Sequence, residues 1–381
     1  MKWIAAAAFG MEGLTGKDLK RLGAENVQVM NVGGATFEGT METAMKANLW
    51  LRTCDRVSLV VGEFEARSFE ELFEGVKALP WEDFIGRNTR FPVSGKCARS
   101  QLMSVRDCQA ITKKAIVERL RQKYKVSWFS ETKEKYQVQF AIQDDVAVLS
   151  IDTSGAGLHK RGYRPVGNAA PLRETLAAAM VQIARYRGRD VFRDPFCGSG
   201  TIPIEAALAA RNRAPGLLRK FAANEWRWCP KSVWDEARTE AIDKEYHGNY
   251  DIMGSDVDPA CIEIAQANAK RCGMDKVIRF EVADARGFAP AEPSGIIVSN
   301  PPYGERVMER QEAERLYRQF GAAVRNLNGW GMYLLSSHTE FERTFGRTAD
   351  KKRKLYNGMI KCDLFQYRPR GDGNKVLRDR K

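Results

Sequence analysis

The residues with the most distinctive chemistry in this sequence are Asn300, Pro301, Pro302 and Tyr303, which follow the apolar stretch 296–299. Two consecutive prolines exclude a helix and remove two backbone donors, so the carbonyl groups of this segment remain as hydrogen-bond acceptors. The amide oxygen of Asn300 and the carbonyl of Pro301 could accept from one –NH2 group, which would aim the nitrogen lone pair at an electrophile. Both acceptors would also stabilise positive charge that develops on the nitrogen.

Tyr303 adds a flat aromatic ring to this site, and such a ring can stack on a nucleobase that is single-stranded or flipped out of a helix. We therefore predict a site for the exocyclic amino group of a base, with Asn300, Pro301 and Tyr303 as its catalytic residues. The alternative is a proline-rich loop whose asparagine has only structural hydrogen bonds.

A second candidate site is the loop Asp194–Thr201, which joins a short apolar strand to a helix. Gly198 and Gly200 would let the backbone approach a ligand closely and adopt positive φ angles. The helix that follows, with Thr201 as its predicted cap and Pro203 in its first turn, offers free N–H groups to a carboxylate. The loop lacks the Gly-Lys-Ser/Thr ending of a phosphate-binding loop. The alternative is a tight strand-to-helix turn.

Two aspartates end the next two strands and complete this predicted pocket. Asp256 would accept hydrogen bonds from a ribose diol, and Asp284 would accept one from an adenine amino group. Asp258 lies where a helix begins, and for this residue a capping role is the stronger interpretation. Cys197 has no basic neighbour in sequence, so we expect a packed thiol rather than a nucleophile that attacks a pyrimidine ring.

The elements that must position these residues alternate regularly from about residue 171 onwards. Apolar strands alternate with longer helices, which is typical of a doubly wound α/β sheet, and ligands bind at the carboxyl ends of its strands. Two strand-like runs, 353–356 and 360–366, flank Asn357-Gly358, which predicts an antiparallel hairpin at the sheet edge. The Trp-rich segment 214–250 is predicted to be an insertion that covers one end of this sheet.

The first 155 residues alternate short strands with short helices, which predicts an α+β architecture with antiparallel pairing. We place a break near residue 65 and an interdomain linker at 156–168, where Gly, Lys and Arg are frequent. The predicted domains are therefore 1–64, 65–155 and 169–381.

The chain is basic, with 61 lysines and arginines against 48 acidic residues and a net charge of +13. A basic excess favours a polyanionic partner, because Lys and Arg displace counterions from phosphates. The residues predicted to bind RNA lie on a strand end, on the helix after it and in the linker: Lys96, Arg99, Arg106, Lys113, Lys114, Lys160, Arg161 and Arg164. The alternative for this set is a solvated protein surface.

The eight cysteines include no Cys-x-x-Cys pair, and only three histidines are present. This composition predicts reduced thiols in a cytoplasmic protein and no metal site. No apolar run reaches the roughly 18 residues of a membrane span, so we expect no membrane partner.

The motifs Asp194–Thr201 and Ser299–Arg306 resemble those of the THUMP-domain-containing RNA methyltransferases, and the chain is most similar to the bacterial large-subunit rRNA guanine-N2 methyltransferases. The resemblance covers essentially the whole chain. Four further segments carry it: Phe37–Gly39, Ala47–Thr53, His159–Arg164 and Ala170–Ala179.

This resemblance implies a ferredoxin-like domain, a THUMP RNA-binding domain and a Rossmann-like class I methyltransferase domain, whose seven-stranded sheet is mostly parallel. It implies Asn300 and Tyr303 at the target amine. Some relatives carry a second methyltransferase domain, for which this chain is too short, so no second activity is expected. The implied cofactor is S-adenosylmethionine, held by Asp194, Phe196, Cys197, Gly198, Ser199, Gly200, Thr201, Asp256, Asp284 and Thr175.

Three functions stay open on this basis. The first is an RNA amino-methyltransferase that forms N2-methylguanine in 23S rRNA, and the choice of guanine N2 rests on the resemblance alone. The second is a DNA adenine-N6 methyltransferase, because the same Asn-Pro-Pro-Tyr motif serves that reaction; the THUMP-like half favours RNA. The third is an rRNA-binding assembly factor without catalysis, which would not need the three acids and Asn300.

Overall fold

The computed structural model describes residues 1–126, 128–164, 172–303 and 310–370. Within these residues, two seven-stranded sheets organise the chain. Three parts of the sequence interpretation lie outside the described residues: 165–168 of the predicted linker, 170–171 of the family segment, and 304–306 of the motif after Tyr303.

The first sheet belongs to the N-terminal half of the chain. The elements of this half are β1 (Lys2–Ala6), α1 (Glu12–Arg21), β2 (Glu25–Val29), β3 (Gly34–Glu38), α2 (Met41–Trp50), β4 (Arg56–Glu65), α3 (Phe69–Ala78), β5 (Val93–Ala98), α4 (Val105–Tyr124), β6 (Gln137–Gln143) and β7 (Val146–Asp152). The strand order is β2-β3-β1-β4-β7-β6-β5, and only β5 and β6 pair in parallel.

Local sequence sets where the helices of this half begin. The side chains of Thr40, Ser68 and Ser104 accept hydrogen bonds from backbone N–H groups in the first turns of α2, α3 and α4. The segment β1–β4 has a ferredoxin-like order, β2-β3-β1-β4. Strand β4 pairs with both β1 and β7, so the sheet runs without a break through the predicted domain boundary at residues 64–65.

The second sheet belongs to the C-terminal half. Its elements are α5 (Glu174–Ile183), β8 (Phe192–Asp194), α6 (Thr201–Ala210), α7 (Lys231–Asp243), β9 (Ile252–Asp256), α8 (Pro259–Arg271), β10 (Ile278–Val282), β11 (Ser294–Ser299), α9 (Arg310–Ala323), β12 (Gly329–Ser336), α10 (Phe341–Phe345), β13 (Lys351–Asn357) and β14 (Ile360–Tyr367). The order is β10-β9-β8-β11-β12-β14-β13.

Five strands of this sheet, β8 to β12, pair in parallel, and β13 and β14 form the predicted antiparallel hairpin. Gly358 and Met359 make its two-residue loop, and Gly358 has a φ of +65°, which favours glycine. The prediction of a mostly parallel sheet with an antiparallel C-terminal hairpin is therefore confirmed.

The prediction for the segment 214–250 was wrong. Instead of covering one end of the second sheet, its aromatic side chains Phe221, Trp226 and Trp234 belong to the hydrophobic core of the N-terminal half. The Trp226 ring stacks on Tyr136, with 4.8 Å between ring centroids. Large aromatic side chains bury much apolar area, and here the area they bury lies on the first sheet.

Buried polar contacts join the two halves. Arg52 donates from Nη2 to the carbonyls of Leu208 and Arg213, at 3.2 and 2.8 Å. Arg161 donates from Nη2 to the Arg52 carbonyl at 2.5 Å and forms an ion pair with Glu205 of α6. Buried charged groups are stable only when partners satisfy them, so these contacts fix α6 against the N-terminal half.

Candidate active site

The order of the second sheet brings two strand ends together. Strand β8 lies between β9 and β11. The chain places β9 and β10 on one side of β8, and β11 and β12 on its other side, so the strand order reverses between β8 and β11. Ligands of such sheets bind outside the carboxyl ends of the strands at this switch point. Asp194 ends β8, Ser299 ends β11, and the Ser299 hydroxyl donates to Oδ1 of Asp194. The loop after β8 and the segment after β11 therefore meet at one edge.

The loop after β8 forms a tight turn that depends on its glycines. Gly198 and Gly200 have φ angles of +50° and +80°, as the sequence predicted. A Cβ atom on Gly200 would lie 2.9 Å from the Cβ of Ala265 in α8. The backbone N–H of Cys197 donates to the Ser255 carbonyl at 2.9 Å, which ties the loop to β9.

The other predicted loop residues support this turn. The Phe196 ring packs edge-to-face on Phe320, and the Ser199 carbonyl accepts from the Asn268 side chain at 3.0 Å. Thr201 is not the predicted cap. Gly200 occupies the N-cap position, and α6 begins at Thr201, whose hydroxyl accepts from Arg164. The N–H groups of Thr201 and Ile202 begin α6 and have no partner within the helix, so they are the groups that could bind an anion.

Asp194 is an unusual carboxyl group, because it is only 1% exposed. Burial raises its pKa to about 7; hydrogen bonds from Ser299 and from the Phe196 N–H oppose this rise, and the nearby Asp256 adds to it. Its second oxygen, Oδ2, is buried and has no hydrogen-bond partner among the described residues. An orphaned acceptor costs free energy until a donor reaches it, and the ammonium group of S-adenosylmethionine is a suitable donor.

Asp256 ends β9 beside this loop. Its Oδ2 accepts from the Gly198 N–H at 3.0 Å, and its Oδ1 accepts from the Asp258 N–H at the same distance. Each carboxylate oxygen has a second lone pair, so the group could still accept from the ribose diol. Asp258 caps α8 through the Ala260 N–H, which agrees with the capping interpretation.

Asp284 lies after β10, and its carboxylate already has hydrogen-bond partners within the protein. It caps a short 3-10 turn and forms an ion pair with Arg286, which lowers the pKa of Asp284. Sequence reasoning missed two apolar residues beside these acids, Val257 and Val282, which are 65% and 55% exposed. Val282 pairs in register with Asp256. Exposed valines at strand ends fit an adenine ring. Val257 could have been found from the sequence, because it is an apolar residue directly after an acid that ends a strand.

The segment after β11 keeps Asn300 at the site and gives Tyr303 a hydrogen bond that the sequence did not predict. The Tyr303 hydroxyl donates to the side-chain oxygen of Asn300, and the Tyr303 ring packs against the second hydrophobic core. Burial raises the pKa of Tyr303 well above its usual value. The hydroxyl of this partly buried residue orients Asn300, and stacking of its ring on a base stays a prediction.

Tyr317 of α9 was not predicted, and it supports the same segment. Its hydroxyl donates to the Pro302 carbonyl and lies 3.4 Å from the Ser336 hydroxyl. Its ring packs edge-to-face on His338, whose Nε2 is 3.1 Å from a carboxylate oxygen of Glu314. The Tyr317 hydroxyl and the Tyr303 hydroxyl together hold the backbone and the amide of the Asn-Pro-Pro segment.

Two further predictions concern Cys197 and Thr175. Burial raises the pKa of Cys197, so its thiol is neutral and unsuited to nucleophilic attack, as expected. Thr175, implied as a cofactor residue, is 1% exposed and donates its hydroxyl to Asp55 of the N-terminal half at 3.3 Å. The structure thus gives Thr175 a contact between the halves rather than an open face for a ligand.

The predicted RNA-binding residues fall into two groups. Lys96, Arg106, Lys114 and Lys160 are exposed and form no ion pair with a residue that the structure describes. The other four already have partners: Arg99 pairs with Asp144, Lys113 with Glu131, Arg161 with Glu205 and Arg164 with Glu174.

Arg161 is the clearest correction in this set. It is 2% exposed, so its guanidinium joins the two halves and cannot reach a phosphate. The Arg164 side chain is 13% exposed and extends from Glu174 to Thr201, which makes it a support for the cofactor loop.

No group of three or more His, Cys, Asp or Glu side chains in the described ranges is arranged to hold a metal ion. No helix that the structure describes is long and apolar enough to cross a membrane.

The fold and this site define a class I methyltransferase. The chain belongs to the family described as the RMKL-like methyltransferase domain, whose model matches residues 161–366. The RlmL ferredoxin-like domain matches residues 2–58, and the THUMP domain matches residues 66–152. These matches confirm the family resemblance, the fold class and S-adenosylmethionine as the cofactor.

Two relatives align with almost the whole chain. YpsC of Bacillus subtilis (strain 168), provisionally named an RNA methyltransferase, is 46% identical over 370 residues, which cover 96% of this chain and 95% of YpsC. The ribosomal RNA large subunit methyltransferase K/L of Psychromonas ingrahamii is 34% identical, over 97% of this chain and 50% of the relative. The chain thus spans about half the length of this K/L relative.

Two solved structures are similar over nearly their full length. SMU.472, provisionally described as a methyltransferase and solved in complex with SAH, has a TM-score of 0.91 and 40% identity, with 97% of this chain and 98% of that chain covered. A Listeria monocytogenes protein, named a predicted N6-adenine-specific DNA methylase, has a TM-score of 0.91 and 46% identity. The match covers 96% of this chain and 95% of that chain.

Proposed function

We propose that this protein methylates the exocyclic amino group of a base in RNA, and that its target is guanine N2 in 23S rRNA. One observation carries the amino-group part of the proposal: Asn300 directly follows Ser299, which is hydrogen-bonded to Asp194 beside the glycine loop. The amine acceptors and the cofactor pocket therefore share one edge of the sheet, as direct transfer of a methyl group requires.

The choice of RNA rests on the N-terminal half. The THUMP domain match, the exposed cations on β5 and α4, and the printed names of YpsC and the K/L relative all support it. A 23S rRNA target would place the protein in the cytoplasm. The name of the Listeria structure favours the alternative, adenine N6 in DNA.

S-adenosylmethionine, when bound, supplies an electrophilic methyl group. The chain's own residues bind the substrate amine and orient it. The Tyr303 hydroxyl uses one lone pair of the Asn300 side-chain oxygen, which leaves the second for the substrate amine. Tyr317 fixes the Pro302 carbonyl, so the Pro301 carbonyl before it is held in a defined position. Acceptors that are oriented before the reaction stabilise the charge that develops on the amine.

This proposal can be tested with purified protein and labelled S-adenosylmethionine. Unmodified 23S rRNA and duplex DNA are offered separately, and the labelled nucleoside is identified by mass spectrometry. We expect label in N2-methylguanine from the RNA. Label in N6-methyladenine from the DNA, with none in the RNA, would contradict the proposal and favour the alternative.

Asp256→Ala is expected to weaken cofactor binding by roughly ten- to a hundredfold. The variant removes the charged acceptor for the ribose and the oxygen that holds the Gly198 N–H, and hydrogen bonds to charged groups contribute about 1.5–3 kcal/mol. Calorimetry with S-adenosylhomocysteine measures the effect. Asp275→Ala, at an exposed aspartate outside this edge, is the control. An unchanged affinity in Asp256→Ala would argue against the ribose role.

Asp194 should make stability depend on pH in a defined direction. Its folded pKa of about 7 lies above its ordinary value of 3.8, so its proton stabilises the fold at low pH, and that contribution is lost as pH rises from about 4 through 7. Relative to wild type, Asp194→Asn should therefore gain up to about 4 kcal/mol of unfolding free energy between pH 4 and pH 8. Urea unfolding at both pH values measures this gain. A difference that does not vary with pH would rule out the raised pKa.

Replacing Lys96, Arg106 and Lys114 together by alanine should weaken RNA binding in a salt-dependent way. Each lost phosphate contact lowers the slope of log affinity against log salt by about 0.7–0.9, so the slope should fall by about two. Binding is measured by filter retention between 50 and 300 mM salt. Lys276, Lys351 and Lys361, replaced together, give a control with the same change of charge. Equal slopes for both triple variants would reject this surface.

A further inference from the structure

The loop between α4 and β6 presents a tryptophan to solvent. Trp128 is 80% exposed, which is rare for so large an apolar side chain. The next residue, Phe129, packs edge-to-face on Phe91, with 6.3 Å between ring centroids. The loop is therefore anchored at Phe129, directly beside an indole ring that contributes nothing to the core.

Exposed cations surround this loop. Arg90 forms a β-bridge with Lys135 and donates from Nε to the Lys133 carbonyl at 3.2 Å, so the segment 87–90 lies against 133–135. Five side chains of this region are exposed and basic: Arg87, Arg90, Lys125, Lys133 and Lys135.

The two acidic residues of the loop do not cancel this charge. Glu131 is paired with Lys113 at 2.6 Å, and Glu134 lies 3.9 Å from Arg227. Both carboxylates are thus matched by cations from other segments. The surface around Trp128 therefore keeps a positive excess, which complements a polyanion.

The loop lies at the end of the first sheet from which the chain continues to the methyltransferase domain. Gln137, at the start of β6, pairs with Asp152, the residue after which the chain leaves the first sheet. Tyr136 stacks on Trp226 of the segment 214–250, whose ring packs in the hydrophobic core of the first sheet. In contrast, Arg106 lies at the far end of α4, a helix of 20 residues and so about 30 Å long.

We propose that Trp128 is a stacking site for an unpaired base of the RNA substrate, and that Arg90, Lys133 and Lys135 bind the phosphates beside it. An exposed aromatic ring within a basic surface is how proteins bind single-stranded nucleic acid with little regard to sequence. This inference rests on the proposed RNA function and adds to it a contact for single-stranded RNA at the end of the first sheet from which the chain continues to the methyltransferase domain.

The test compares two probes: a 12-nucleotide oligouridine and a 12-base-pair RNA duplex, each measured by fluorescence anisotropy with the full chain. Trp128→Ala should weaken oligouridine binding about fivefold or more and change duplex binding less than twofold. Trp128→Phe, which keeps a ring, should retain most of the affinity. Tyr246→Ala removes another exposed aromatic ring, 61% exposed, and should have no effect.

The outcomes separate this inference from the function on which it rests. If wild type methylates RNA and Trp128→Ala binds oligouridine as tightly as wild type, the stacking site is refuted, and a protein partner becomes the better explanation for the exposed ring. If wild type neither binds nor methylates RNA, the proposed function itself fails. Equal losses on oligouridine and duplex would also refute stacking, because paired bases cannot stack on Trp128.

Discussion

Replacing Asn300 by alanine is expected to lower the rate of methyl transfer by about a hundred- to a thousandfold, while affinity for S-adenosylhomocysteine stays within twofold. The side-chain oxygen accepts from the amine most strongly when charge develops on nitrogen, so its loss affects the transition state more than the bound cofactor. Single-turnover kinetics and calorimetry on the same preparation measure the two quantities.

Two variants control this experiment. Asn326→Ala changes an exposed asparagine after α9 and should leave the rate unchanged. Tyr303→Phe keeps the ring but removes the hydroxyl that orients the Asn300 oxygen, so its rate should fall between those of wild type and Asn300→Ala. If Asn300→Ala kept more than half of the wild-type rate, the assignment of the amine site would be wrong.

Gly200→Val is expected to reduce cofactor binding by at least a hundredfold. Gly200 has a φ of +80°, a conformation that costs a β-branched residue roughly 1–2 kcal/mol, and a Cβ there would meet the Ala265 Cβ at 2.9 Å. The loop can relieve this contact only by moving away from α8, which displaces the N–H groups at the start of α6. Calorimetry with S-adenosylhomocysteine measures the loss.

The matched control for this prediction is Gly273→Val. Gly273 also has a positive φ, +71°, but a Cβ there would meet no atom within 4 Å. This variant should lose stability, seen as a lower midpoint of thermal unfolding, and still bind the cofactor. Similar cofactor affinities for both variants would mean that the contact with Ala265 does not shape the site.

Much of the site could be predicted because its signals are local. Asp194, Gly198 and Gly200 follow an apolar strand, and their roles depend on a turn that adjacent residues define. Asp256 was placed beside that loop because parallel strands end at a common edge. The hydrogen bond from the Gly198 N–H to Asp256 agrees with this reasoning.

The corrected residues depend on contacts distant in sequence. Arg161 reads as a surface cation beside Lys160, yet its partner Glu205 is 44 positions away. Thr175 contacts Asp55 across 120 positions. The hydrogen bond from Tyr303 to Asn300 was also missed, and the Tyr303 ring packs against a core that includes residues of β14. No local pattern distinguishes a buried arginine from an exposed one, so packing between the halves decided the roles of Arg161 and Thr175.

The central claim, that a base in rRNA receives the methyl group, is tested most directly by nucleoside mass spectrometry of a strain that lacks this protein. Ribosomal RNA and genomic DNA from the deletion strain and its parent are digested and compared. We predict loss of N2-methylguanine from 23S rRNA, restored by the wild-type protein and not by Asn300→Ala, with N6-methyladenine in DNA unchanged. Unaltered rRNA together with loss of N6-methyladenine from DNA would contradict it.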